Sequence, residues 1–88
     1  MRIKSDIIMQ KVGNIYVAAS VGARAKNAPC MIKLNESGAF LWNEAKKGEV
    51  DVESLADALV REYEIGRDIA LADATRFVDS LKKNGLLE

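Results

Sequence analysis

Few residues in this chain of 88 have side chains that could do covalent or metal chemistry. There is one cysteine, Cys30, and no histidine. A zinc site built from Cys and His ligands is therefore excluded, and so is nucleophilic catalysis by a Ser-His-Asp or Cys-His arrangement within this chain. The six glycines are scattered, so neither a dinucleotide loop nor a phosphate loop can be assembled from them. Thirteen carboxylates remain, and no spacing among them singles out an acid–base pair. Cys30 reads as a small, semi-buried hydrophobe, since no neighbour in sequence lowers its thiol pKa. The expectation is a binding module with no cofactor, and not an enzyme.

Charge is the more informative property. The total is zero, yet residues 1–48 carry eight basic and three acidic side chains. Residues 49–79 carry three basic and nine acidic ones. A partner should sense that asymmetry. Lys4, Lys11, Arg24, Lys26 and Lys33 make the N-terminal part basic, so a bound segment is expected to bring acidic residues.

Elements that could position such residues follow from periodicity. At 49% hydrophobic and 30% charged residues, with a single proline, the composition is that of one ordinary folded domain over residues 1–88. Ile15 to Ala19 is β-branched and aromatic, and Gly13-Asn14 before it is a two-residue hairpin signal pairing it with Ile7 to Val12. Ser20 to Pro29 reads as a long surface loop, and Cys30 to Leu34 as a third strand. Ile32 and Leu34 share one face of that strand, Met31 and Lys33 the other.

Three helices are expected next. Asn35 caps the first, and Ala39, Phe40, Leu41, Trp42 and Ala45 give it an apolar surface, with Trp42 packing it on the sheet and Gly48 as a left-handed stop. Gly38 in its first turn suggests close approach by another backbone element. Val52, Leu55, Ala56, Leu59, Val60 and Tyr63 form the stripe of the second helix, capped by Asp51. The third runs from about Arg67 to Lys83 on Ala70, Ala74, Phe77, Val78 and Leu81. Gly85 and Leu86 close it as a Schellman cap. Ile69 sits roughly 100° off that stripe, on the flank of Asp73, Arg76 and Ser80. The fold class is α+β: a three-stranded antiparallel sheet followed by three helices, in a winged helix-turn-helix arrangement.

The stretch Leu34-Asn35-Glu36-Ser37-Gly38-Ala39-Phe40-Leu41-Trp42 resembles the signature of the PqqD-like family, Leu-Asn-x-Thr-Gly-Ala-x-x-Trp. Val12 to Val17 is similar to that family's hairpin, Ala28 to Leu34 to its third strand, and Glu62-Tyr63 and Leu81 to Leu87 to its later helices. Ser37 replaces the usual Thr, Cys30 a common glycine, and Gly66 a frequent capping Ser or Asp. The resemblance implies a recognition element for ribosomally made, modified peptides. Such domains bind the leader of a precursor peptide and present it to a modifying enzyme, commonly a radical S-adenosylmethionine enzyme. In the name-giving case the product is pyrroloquinoline quinone.

Strand addition is the physical route to such binding: an extended peptide pairs with an unpaired sheet edge. Met31, Ile32, Lys33 and Leu34 are the candidate edge. By analogy with the family, the third helix makes the other wall, with Ile69, Asp73, Arg76 and Phe77 as candidates. Plainer readings stand beside these. Phe77 lies on the core stripe, Asp73 and Arg76 belong to an ordinary charged helix face, and Ile69 is a lone exposed apolar residue. A winged-helix DNA-binding regulator is the alternative function, opposed by the acid on the third helix. A homodimer through the same sheet edge is another. The only apolar run near the start, Ile7-Ile8-Met9, is too short for a signal peptide or membrane span, and the lone cysteine suits a cytoplasmic location.

Overall fold

The computed structural model describes residues 1–22 and 31–87. The Cys30 end of the expected third strand, most of the Ser20–Pro29 segment, and with them Arg24 and Lys26, lie outside the described residues.

Strands β1 (Ile7–Val12), β2 (Ile15–Ser20) and β3 (Met31–Leu34) form one antiparallel sheet in the order β1-β2-β3. The hairpin pairs Val12 with Ile15, so Gly13 and Asn14 make a two-residue turn. Gly13 takes φ +63°, which an L side chain would resist. Period-two alternation then sorts the faces. Ile7 and Ala18 are fully buried, while Ile8, Val12, Ile15 and Met31 are exposed on the opposite face.

Helices α1 (Glu36–Lys46), α2 (Val52–Tyr63) and α3 (Arg67–Lys83) make the second layer. The apolar stripes read from the sequence are the surfaces they bury. Leu41, Trp42 and Ala45 of α1, Leu55, Ala56 and Leu59 of α2, and Ala70, Ala74, Phe77, Val78 and Leu81 of α3 join Ile7 and Ala18 in one core. Each fully buried Leu or Ile contributes about 1.5–3 kcal/mol, so this cluster is what holds sheet and helices together. Phe40 and Tyr63 add an edge-to-face contact between α1 and α2, with ring centroids 5.6 Å apart.

The caps do what the sequence asks of them. Asp51 accepts the Ser54 N–H at 2.7 Å, and the Ser54 hydroxyl accepts the Asp51 N–H at 3.0 Å, a reciprocal capping box. At the end of α3, Leu86 N–H donates to Leu81 C=O at 2.9 Å and Gly85 N–H to Lys82 C=O at 3.1 Å. These are the two bonds of a Schellman motif, with Gly85 at φ +69°. The expected stop at Gly48 differs. Lys47 ends α1 in the right-handed region and Gly48 follows at φ +154°, a positive value that favours glycine as expected but lies well beyond that of a left-handed helical turn. Gly66 caps α3 without a side-chain bond.

Ile3 and Leu87 pair in an antiparallel bridge, with Lys4 N–H donating to Leu86 C=O at 2.9 Å. The segment before β1 is thereby stitched to the segment after α3.

Candidate functional site

Hydrogen-bond parity in the sheet decides which main-chain groups are available. Val21 N–H donates to Asp6 C=O at 2.9 Å, one step beyond the Ile7–Ser20 pair. Bonded and non-bonded pairs alternate in an antiparallel ladder. The bonded pairs between β1 and β2 are therefore Ile8–Ala19, Gln10–Val17 and Val12–Ile15. Tyr16 and Ala18 then turn their main-chain groups toward β3, where they meet Leu34 and Ile32. This leaves the N–H and C=O of Met31 and Lys33 on the outer edge, while those of Ile32 and Leu34 are used inside the sheet.

A cleft of about 310 Å³ opens beside that edge, between β3 and α3. Leu34, Leu41, Phe77 and Leu81 give it an apolar floor, and Ile32, Lys33, Asp73, Arg76 and Ser80 lie along its sides. Asp73 and Arg76 form an ion pair one helical turn apart, so α3 presents a neutralised pair here. Lys33 has no ion-pair partner among the described residues. Asn35, Ser37 and Gly38 close one end of the cleft.

Six of the eight residues expected at the site therefore converge on one cleft: Ile32, Lys33, Leu34, Asp73, Arg76 and Phe77. The other two do not line it. Met31, 73% exposed, points to the far face of the sheet, where it borders a second cavity with Ile8, Val12, Val17, Ala19 and Val21. Ile69, 55% exposed, lies one helical turn before Asp73, about 6 Å along the α3 axis from it.

Sequence reasoning missed the closed end of the cleft. Asn35 and Gly38 read only as a cap and an oddly placed glycine, yet both line it. The reason for Gly38 also differs from the expectation of a neighbouring backbone element. A Cβ there would sit 3.1 Å from Asn35 Oδ1 and 3.4 Å from the Leu34 side chain, so what crowds Gly38 is its own cap and the preceding strand residue. Leu41 and Leu81, 2% and 1% exposed, were legible as core but not as cleft floor.

No three of the described His, Cys, Asp and Glu side chains come together as a set that could hold a metal ion. No described helix is long and apolar enough to cross a membrane. Among the described residues the arrangement offers a strand edge with no strand paired to it, a cleft with an apolar floor and a few polar and charged groups at its rim, which suits the capture of an extended chain.

The fold is shared with known proteins. The family model described as coenzyme PQQ synthesis protein D matches residues 27–87. Two solved structures are similar over nearly the whole chain. One is TbiB1 in complex with the TbiA(β) leader peptide, at TM-score 0.77 and 22% identity, covering 100% of this chain and 95% of that one. The other is a lasso peptide synthetase B1 complexed with the leader peptide, at TM-score 0.74 and 24% identity, covering 99% and 95%. At these identities the likeness establishes a shared fold. No curated protein matches the chain significantly.

Proposed function

The chain belongs to the PqqD family, that of coenzyme PQQ synthesis protein D, and from that membership we propose that it is a peptide-recognition module. It captures the leader segment of a ribosomally made precursor by strand addition to β3 and presents it to a modifying enzyme, with no catalytic step of its own. A radical S-adenosylmethionine enzyme is the foremost class of partner. The observation that carries this reading is the outward-facing main chain of Met31 and Lys33, set directly beside an apolar cleft. Each added strand residue that pairs there satisfies groups that otherwise depend on water. The net gain per bond is about 0.5–1.5 kcal/mol, so affinity must also draw on side chains entering the cleft. Leu34, Leu41, Phe77 and Leu81 supply the surface for them, and Ile69 lies where a peptide longer than β3 would extend.

Both similar structures hold leader peptides. That supports the same kind of ligand here, though the precursor itself must be found by experiment. A DNA-binding role fits less well. Arg67 and Arg76 of α3 are each paired with an aspartate, Asp57 and Asp73, which leaves its other basic residues, Lys82 and Lys83, at the C-terminal end and not along the face that would enter a groove. A homodimer would occupy the same β3 edge and compete with peptide.

The test is an NMR titration with a synthetic leader from a short precursor encoded beside this chain. Saturable shifts of the Met31 and Lys33 amides, together with residues 73–81, support capture. Unperturbed β3 amides across the titration would overturn it.

A further inference from the structure

The outward face of β3 carries information that the cleft does not. Residues directly opposite in a sheet share a face, so the side-chain neighbours of Lys33 on β2 can be read from the register. Val17 lies opposite it, with Ile15 and Ala19 on the diagonals. Met31 flanks it along its own strand. All are apolar, and no carboxylate lies on this face of the sheet: β1 contributes Ile8, Gln10 and Val12. Among the described residues, the sheet neighbours of Lys33 on this face are thus uncharged, and the side away from β2 is the position an added strand would fill.

We propose that Lys33 selects the charge of the captured segment: the peptide residue that pairs beside Lys33 is acidic, and the residue two positions away, beside Met31, is apolar. This rests on strand addition at β3. Alternation fixes the rest of the pattern. The residue between those two points to the opposite face, into the trough of Leu34, Leu41 and Phe77, and is apolar as well. The recognised element is then an acidic residue and an apolar residue separated by one apolar residue. Its order along the peptide is set by whether the added strand runs parallel or antiparallel to β3. The cleft side makes no such demand for charge, because Asp73 and Arg76 already neutralise each other there.

The neighbouring positions sharpen the assignment. Arg76 belongs to α3 and meets side chains that enter the cleft, whereas Lys33, at the cleft rim, shares by register the face of those that point away from it. A carboxylate selected by Arg76 would sit on inward positions, and one selected by Lys33 on outward ones. The two differ by a single residue in the peptide, so sequence alone distinguishes them.

The experiment is selection of a random-peptide library against the full chain and against Lys33→Glu, followed by affinity measurement on synthetic hits. Hits on the unaltered chain should carry the acidic residue one position from the inward apolar anchor, with shifts at the Met31 and Lys33 amides. Exchanging that residue for Lys should weaken binding about three- to tenfold on the unaltered chain and strengthen it on Lys33→Glu. Lys33→Gln, which keeps the strand and removes the charge, should be nearly indifferent to the exchange. Hits that perturb β3 but show no charge preference, or one that survives Lys33→Glu unchanged, would overturn the role of Lys33 and leave strand capture standing. A library yielding no peptide that perturbs β3 would overturn strand capture, and this inference with it.

Discussion

Asn35 Oδ1 accepts the Gly38 main-chain N–H at 2.7 Å, and this bond joins the start of α1 to the end wall of the cleft. Cap and wall are the same atoms. The Ser37 hydroxyl donates to the same oxygen at 3.1 Å, which fixes the Asn35 side chain across the first turn. Asn35→Ala should therefore cost about 1 kcal/mol of stability, read from a denaturant midpoint, and Asn35→Asp should recover most of it. Peptide affinity should follow stability only in part, because the alanine variant also widens the cleft.

Proline substitutions separate the two kinds of main-chain group in β3. Lys33→Pro deletes an N–H that points outward, a position an edge strand tolerates. Ile32→Pro deletes one that bonds β2 and should destabilise the sheet by about 3 kcal/mol or more. Circular dichroism should show a folded Lys33→Pro chain whose peptide binding is lost, and a largely unfolded Ile32→Pro chain. Equal folding of the two variants would contradict the parity of the ladder.

Phe77 serves both core and cleft at 7% exposure. Truncation to alanine should remove about 3–5 kcal/mol, enough to unfold a domain of this size and so uninformative about binding. Phe77→Leu is the useful change. It should cost about 1 kcal/mol of stability while weakening peptide binding measurably, as shown by calorimetric titration of the folded variant.

Glu64 ends α2 in the left-handed region, at φ 52° and ψ 43°, and is the described non-glycine residue with positive φ. A side chain there is strained, so Glu64→Gly should stabilise by about 0.5–1 kcal/mol after allowing for the looser unfolded chain. A melting temperature that falls instead would mean that the Glu64 side chain makes a compensating contact.

Acid should act through one helix cap and one terminal ion pair. The Ser54 backbone N–H, then its hydroxyl, lowers the Asp51 carboxyl from its ordinary 3.8. A hydrogen bond from the N-terminal ammonium lowers Glu49 from 4.5. A depressed folded pKa stabilises fully above the ordinary value, and that stabilisation disappears as pH falls through the lowered one. The melting temperature should therefore drop below about pH 4, and Asp51→Asn, less stable at neutral pH, should converge on the unaltered chain as pH falls through the lowered Asp51 value.

These residues also show what could be read from the sequence and what could not. The α2 stripe and the Gly85–Leu86 closure were legible because both are local: a 3.6-residue period and a glycine after the last turn carry their own geometry. The convergence of Asp73 and Arg76 with Lys33 was accessible only through family resemblance, since nearly forty residues separate them from β3 and no spacing rule spans that distance. Which main-chain groups of β3 face outward needed the Val21–Asp6 bond, a pairing two strands away. Met31 shows the converse. Its face was correctly read from alternation, but alternation alone does not say that the cleft lies on the other side of the sheet.

The Ile3–Leu87 bridge ties together segments more than eighty residues apart in sequence. The two segments are thereby coupled: releasing Ile3 from the core also withdraws the partner that pairs with Leu87. The first segment has a second anchor as well, since Met1 exchanges hydrogen bonds with Val50. Amide exchange at Lys4, whose N–H is held by the Leu86 carbonyl, should accordingly speed up when the segment after α3 is loosened, although more than eighty residues lie between them.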